Sequence, residues 1–189
     1  LPKKAVDKNG GEVFIKESHL KISEPFVITD DILTKYTNRW LDDLKESDPD
    51  EWDFQVSTQA YENSENISKG LELAISDAAS KPMYDGVIVD LGSDERWFIA
   101  FEPNQIKSAT GNNGNVDSGN PDIRFSRTGQ TDTAAFKKWF GDSKVVDEQG
   151  EPLVVYHGTS KSFDAFEENA KGLFFRPIRM SQITFQRSE

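Results

Sequence analysis

Between Ser108 and Thr133 the sequence turns abruptly to Gly, Asn, Ser, Thr and Asp, including the run Gly111-Asn112-Asn113-Gly114-Asn115. A stretch so poor in apolar residues cannot bury enough surface to fold alone, so 110–133 reads as a linker between pieces 1–109 and 134–189. Whatever folds must do so within those two pieces or across them. A chain of 189 residues holds one ordinary domain or two pieces of domains. Its 13 Phe and 4 Trp supply a core, while a mean hydropathy of −0.64 leaves much of the chain solvated. As a random coil, a linker of about 25 residues spans roughly 28 Å, enough to bring the pieces together.

The charge balance narrows the classes of partner. With 22 Lys plus Arg against 33 Asp plus Glu, the formal charge is −11, which opposes binding to bare nucleic acid or an anionic membrane. No cysteine is present, which excludes disulfides, thiolate metal sites and a cysteine nucleophile and fits a cytoplasmic protein. The longest clean aliphatic run, Val87-Ile88-Val89, is far short of the roughly 20 residues of a spanning helix. Leu1-Pro2-Lys3-Lys4 leads into no apolar stretch of signal-peptide length, so the chain is expected to begin inside a longer protein.

Residues 12–28 alternate in short apolar bursts around Pro25 and predict two strands or one interrupted strand, with Pro25 at an edge or break. Asp30 or Asp31 is expected to cap a helix over about 31–47, in which Ile32, Leu33, Tyr36, Trp40, Leu41 and Leu44 recur at helical spacing. The following acidic stretch, Asp42 to Asp53, lacks the spacing and glycine of a calcium loop and reads as a solvated helix end and loop. A second helix is expected from Ile67 to Ser80, with Ile67 among its inward residues. Residues 84–89 and 97–101 predict core strands of one sheet. Beyond the linker, Thr133 to Phe140 predicts an amphipathic helix ended by Gly141. A hairpin is then expected, 144–146 against 152–159 around a turn at 147–150, and one more strand at 172–175.

Two strand ends carry groups able to bind a polar heterocycle and polarise a sugar hydroxyl: His157 beside Gly158 and Thr159, and Glu95 after a polar turn. Taken alone, each reads more readily as an ordinary strand exit or turn residue. His19, amid alternating residues, reads as an exposed strand residue. No metal-ligand spacing, phosphate loop or nucleophile elbow is present, and a carboxylate-based hydrolase using Asp85, Asp90 or Glu95 has no supporting spacing.

The string Phe136-Lys137-Lys138-Trp139-Phe140-Gly141-Asp142-Ser143-Lys144-Val145-Val146, followed by Pro152-Leu153-Val154-Val155-Tyr156-His157-Gly158-Thr159, resembles the opening of the ADP-ribosyltransferase domains of polyvalent proteins from phages and mobile elements. Tyr84-Asp85-Gly86-Val87-Ile88, 101–109 and Asn120-Pro121-Asp122-Ile123-Arg124-Phe125-Ser126 resemble the close of such a domain. The closing half, about 10–109, precedes the opening half, about 134–175, as though the tail of one copy were joined to the start of a second. The resemblance implies an α+β fold with a split, mostly antiparallel sheet core of ADP-ribosyltransferase type and two main helices, in circularly permuted order.

It also implies NAD as a substrate, a macromolecular acceptor, and a site in the cytoplasm of a bacterial host. By resemblance His157 orients the nicotinamide ribose, the Gly158 backbone pairs with the nicotinamide amide, Thr159 touches the adenosine side, and Phe174 or Phe175 stacks on the nicotinamide ring. The family's strand-start glutamate falls on Trp97, which leaves Glu95, two residues earlier on the same strand face, or Gln105 as catalytic substitutes; Gln105 cannot supply negative charge. Two readings stay open: an NAD-dependent transferase in permuted form, or a catalytically inactive remnant or interaction module.

Overall fold

The computed structural model describes residues 3–6, 12–57, 64–92, 96–109, 130–160, 163, 165–169 and 171–177. They form an α+β protein built on two four-stranded sheets. In the first, β2 (Glu12–Leu20) is the axis: β1 (Lys3–Val6), β6 (Ile106–Ser108) and β7 (Val155–Thr159) all pair with it antiparallel. Ser18 pairs with both Ser108 and Val155, and Phe14 with both Lys4 and Thr159, so β1 and β6 share one edge of β2 and β7 takes the other. The second sheet has the order β3 (Pro25–Ile28), β4 (Gly86–Val89), β5 (Trp97–Ala100), β8 (Leu173–Phe175). Its β3–β4 pair is parallel, and the rest is antiparallel. Pro25 sits on the edge strand, where its missing N–H leaves no ladder bond unmade.

The inner faces of the sheets meet in a core that includes Leu20, Ile22, Ile106 and Val155 from one side and Ile88, Phe98, Leu173 and Phe175 from the other. Period-2 alternation sends Val87, Val89 and Ile99 to the opposite face of the second sheet, where α1 (Asp30–Ser47) and α3 (Ser64–Ala79) cover them. These two helices approach closely at Thr37 and Gly70: a Cβ on Gly70 would lie 2.2 Å from Thr37 Oγ1. On the outer face of the first sheet, α4 (Ala134–Phe140) brings Phe136 edge-on to His19, ring centroids 5.2 Å apart. Ser143, just past α4, staples this region to the end of β2: its hydroxyl donates to the Leu20 carbonyl at 2.9 Å and accepts from the Ile22 amide at 3.1 Å.

Several expectations are corrected. The cap of α1 is Thr29, whose hydroxyl accepts from the Ile32 amide at 3.5 Å, so Asp30 and Asp31 fall in the first turn, where their charge favours the helix N-terminus. The acidic stretch is not a loop after α1: Pro49–Ser57 forms α2, with Pro49 at its start and Asp50 and Glu51 in its first turn. Ile67 is 39% exposed rather than inward. The hairpin shrinks to one bridge, Val146 to Pro152, because Val155–Thr159 finds its long partner in β2. His19 is 5% exposed, not solvated, since its strand has neighbours on both edges and α4 on its face. Residues 110–129 of the predicted linker lie outside the described residues, and Gln130–Asp132 is a 3₁₀ turn.

Candidate functional site

A backbone bridge ties the two sheets together at their edges. Tyr156 of β7 and Arg176, just beyond β8, exchange backbone hydrogen bonds: the Tyr156 amide donates to the Arg176 carbonyl at 2.9 Å and the Arg176 amide to the Tyr156 carbonyl at 3.2 Å. Beside this seam opens a cavity of about 340 Å³. Its lining combines Tyr156, His157 and Gly158 from β7 with Phe174, Phe175 and Arg176 from the β8 segment, and Trp97 from the start of β5. Strand register makes the meeting possible. His157 pairs with Lys16, and Phe174 pairs with Ile99, two residues from Trp97 on the same face of the sheet.

The His157 ring is held on three sides. Its Nδ1 donates to the Phe174 carbonyl at 2.8 Å, and Phe175 and Phe166 lie with ring centroids 5.3 and 5.1 Å away. A carbonyl can only accept, so Nδ1 carries the proton and the neutral ring presents Nε2 as an acceptor. Burial holds the His157 pKa below the ordinary histidine value, partly offset by the Phe174 carbonyl. The ring is therefore neutral at neutral pH, which suits accepting a hydroxyl proton rather than pairing with an anion.

The two phenylalanines of β8 divide their work. Phe175 is 2% exposed and belongs to the inter-sheet core, while Phe174 is 39% exposed, as is Trp97 at 38%. Trp97 and Phe174 thus offer open aromatic surface on one face of the second sheet, able to receive a planar ring. Gly158 is exposed, and a Cβ there would meet Val13 Cγ1 at 3.6 Å, an ordinary contact. Its glycine is not demanded by packing; what it provides is bare backbone along the cavity. Thr159 pairs with Phe14 and does not line the cavity.

Gln105 stands apart from this constellation. It lies beyond the far end of β5 from Trp97, 7% exposed. Its Oε1 accepts from the amides of Phe101 and Glu102 at 3.0 and 2.8 Å, and its Nε2 donates to the carbonyls of Lys21 and Asp85, both at 2.8 Å. The amide is fully used in clasping the ends of β2, β4 and β5. Glu95 lies outside the described residues. Trp97, Tyr156 and Arg176 carry no sequence signal as cavity residues: Trp97 stands where the family places a glutamate, and the Tyr156–Arg176 bridge joins segments with no local pattern to announce it. Among the described residues no cluster of three or more His, Cys, Asp or Glu could hold a metal ion, and no helix is long and apolar enough to cross a membrane.

A split pair of mostly antiparallel sheets, two long helices on one flank and an aromatic–histidine cavity at the seam define an α+β protein of ADP-ribosyltransferase type. A family model described as ADP-ribosyltransferase in polyvalent proteins matches residues 4–116, and the chain belongs to that family. The matched stretch carries β1 to β6 and Trp97, whereas His157 and Phe174 lie beyond it. No curated protein and no solved structure matches the chain.

Proposed function

We propose that the chain is an NAD-dependent ADP-ribosyltransferase whose nicotinamide site is completed by segments from both sides of the linker. The observation that carries this reading is the pairing of β7 with β2 over five residue pairs and of β8 with β5 over three, which unites His157, Phe174 and Trp97 around one cavity. In this reading 1–109 is the closing half and 134–189 the opening half of the same kind of domain, joined tail to head as in a tandem protein of a phage or mobile element acting in a bacterial cytoplasm.

In this reading His157 Nε2 accepts a hydrogen bond from a hydroxyl of the nicotinamide ribose, the Gly158 backbone pairs with the nicotinamide amide, and Trp97 and Phe174 face the ring. Thr159 stands toward the adenosine. The C1′–nitrogen bond breaks with its electron pair going to nicotinamide, which leaves neutral. A nucleophile of a macromolecular acceptor forms the new bond at C1′ and gives up its proton. Glu95, two residues before Trp97, supplies the carboxylate that stabilises positive charge on the ribose as that bond lengthens. Gln105, with its amide fully committed, takes a structural part.

One observation favours a second reading, a non-catalytic module that retains the fold: no described residue lining the cavity is a carboxylate, and Trp97 occupies the start of β5. Incubation of the full chain with NAD separates the two. Release of nicotinamide that falls steeply in Glu95→Gln, with the NAD-induced rise in Tm retained, supports the enzyme. A rise in Tm without nicotinamide release supports the module, and no shift at millimolar NAD overturns both.

A further inference from the structure

Lys16 stands directly across the ladder from His157. Paired residues put their side chains on one face of a sheet, so both point to the side where Leu20 and Val155 join the inter-sheet core. The transfer chemistry above makes no use of this lysine. It is half-buried, its Nζ donates to the Phe163 carbonyl at 2.5 Å, and it lies 4.9 Å from the centre of the Phe163 ring. Among the described residues no carboxylate pairs with it. Phe163 belongs in turn to the aromatic wall around His157. Its ring centroid is 6.3 Å from the imidazole and 4.8 Å from the Phe166 ring, which meets the same imidazole edge-on at 5.1 Å.

We infer that Lys16 is a positioning residue of this site: by clamping Phe163 it holds the aromatic wall against His157, so that Nδ1 stays on the Phe174 carbonyl and Nε2 is left free for the ligand. For that ligand the inference rests on the proposed NAD site. An aliphatic side chain would fill this inner face with no charge to desolvate, whereas a half-buried ammonium must find an acceptor. What the ammonium adds is direction. It requires the Phe163 carbonyl at one place, as a methyl group would not, and its contact with the ring fixes the side chain of the same residue. A binding group kept within about 0.5 Å of its productive place needs neighbours whose own positions are fixed. His157 has one polar anchor, at Nδ1, and otherwise depends on the rings around it.

The test joins ring-nitrogen NMR of the ligand-free protein to calorimetric titration with NAD, on full-length wild type, Lys16→Met, Lys16→Arg, Phe163→Leu and Ile28→Val. Loss of signals in His157→Asn assigns the His157 ring. In wild type its nitrogens should report one neutral tautomer, protonated at Nδ1. Lys16→Met keeps the stem and loses the ammonium; it should move these signals toward an average of both tautomers and weaken NAD binding about 10-fold, and Lys16→Arg should restore both. Phe163→Leu keeps the charge and should move the signals the same way, which separates the clamp from the field of the lysine and serves also if Lys16→Met fails to fold. Ile28→Val thins the core on the helix side of the second sheet and should lower Tm while moving neither readout. An unchanged ring spectrum in Lys16→Met and Phe163→Leu, the same change in Ile28→Val, or a ring response that leaves NAD affinity untouched overturns the inference. A ring response in a protein whose wild type binds no NAD supports the clamp and removes the proposed NAD site.

Discussion

His157 donates through Nδ1 to the backbone carbonyl of Phe174, 2.8 Å away, so the residue that presents an aromatic face to the cavity also sets the tautomer of the histidine beside it. Positioning and chemistry are thereby separable at His157. Asparagine places an N–H near Nδ1 but nothing at Nε2. His157→Asn should keep the ligand-free Tm close to wild type and abolish the rise in Tm that NAD produces. His157→Ala should lose the NAD effect and about 2–3 kcal/mol of stability besides, through the lost bond and the vacated space beside Phe166 and Phe175. A His157→Asn protein that still gains Tm with NAD would remove Nε2 from the site.

Gln105 gives the opposite separation. Its amide makes four hydrogen bonds to backbone groups, so Gln105→Ala strands two part-buried acceptors and two part-buried donors at the ends of three strands. The expected cost is about 2–4 kcal/mol by denaturant unfolding. Gln105→Glu should cost at least as much, because a carboxylate would face the Lys21 and Asp85 carbonyls with no donor. If either variant unfolded like wild type yet lost nicotinamide release, Gln105 would be catalytic rather than structural.

Two glycines of the second piece should respond differently to the same substitution. Gly172 precedes β8 at φ +78°, and a Cβ there would sit 2.4 Å from Ile99 Cγ2, so Gly172→Ala should destabilise by about 2–4 kcal/mol and loosen β8. Gly158→Ala meets nothing closer than 3.6 Å and should leave stability within about 1 kcal/mol of wild type. Its methyl group would stand on the exposed backbone of the cavity, so NAD affinity should fall. Thermal melts with and without NAD check both.

What was legible in the sequence was local. The helical spacing of Leu33, Tyr36 and Leu41, the Gly141 stop of α4 and the aliphatic density of β4 and β5 each announce an element on its own terms. The His157–Gly158–Thr159 strand end was visible for the same reason. What failed was partnership across the chain. Val155–Thr159 follows a good turn and so invites a hairpin with 144–146, but its register partner, Phe14–Ser18, lies at the other end of the sequence. His19 alternates as an exposed residue would, and only the arrival of β6, β7 and α4 buries it. The α2 helix was hidden by its acids, which are helix-favouring once they occupy a first turn.

The burial of His19 carries the last prediction. Its Nδ1 has no hydrogen-bond partner, and burial lowers its pKa below the ordinary value of 6.5, with a bond to the Leu153 carbonyl acting the other way. His157 is lowered for the same main reason. In the unfolded chain both take up a proton near about pH 6.5, whereas in the folded protein they resist it to lower pH. Below that value the unfolded state binds more protons, so stability is fully present above about pH 6.5 and is lost as pH falls toward the folded pKa values. The slope through that window should approach about 1.4 kcal/mol per pH unit for each histidine. Urea unfolding between about pH 8 and pH 5 should show a plateau and then this decline, and His19→Leu, which removes the stranded nitrogen, should flatten part of it. Because His19 lies under α4 rather than on the cavity, His19→Leu should leave the NAD-induced rise in Tm at neutral pH unchanged. A decline of undiminished slope in His19→Leu would assign the acid sensitivity to other groups.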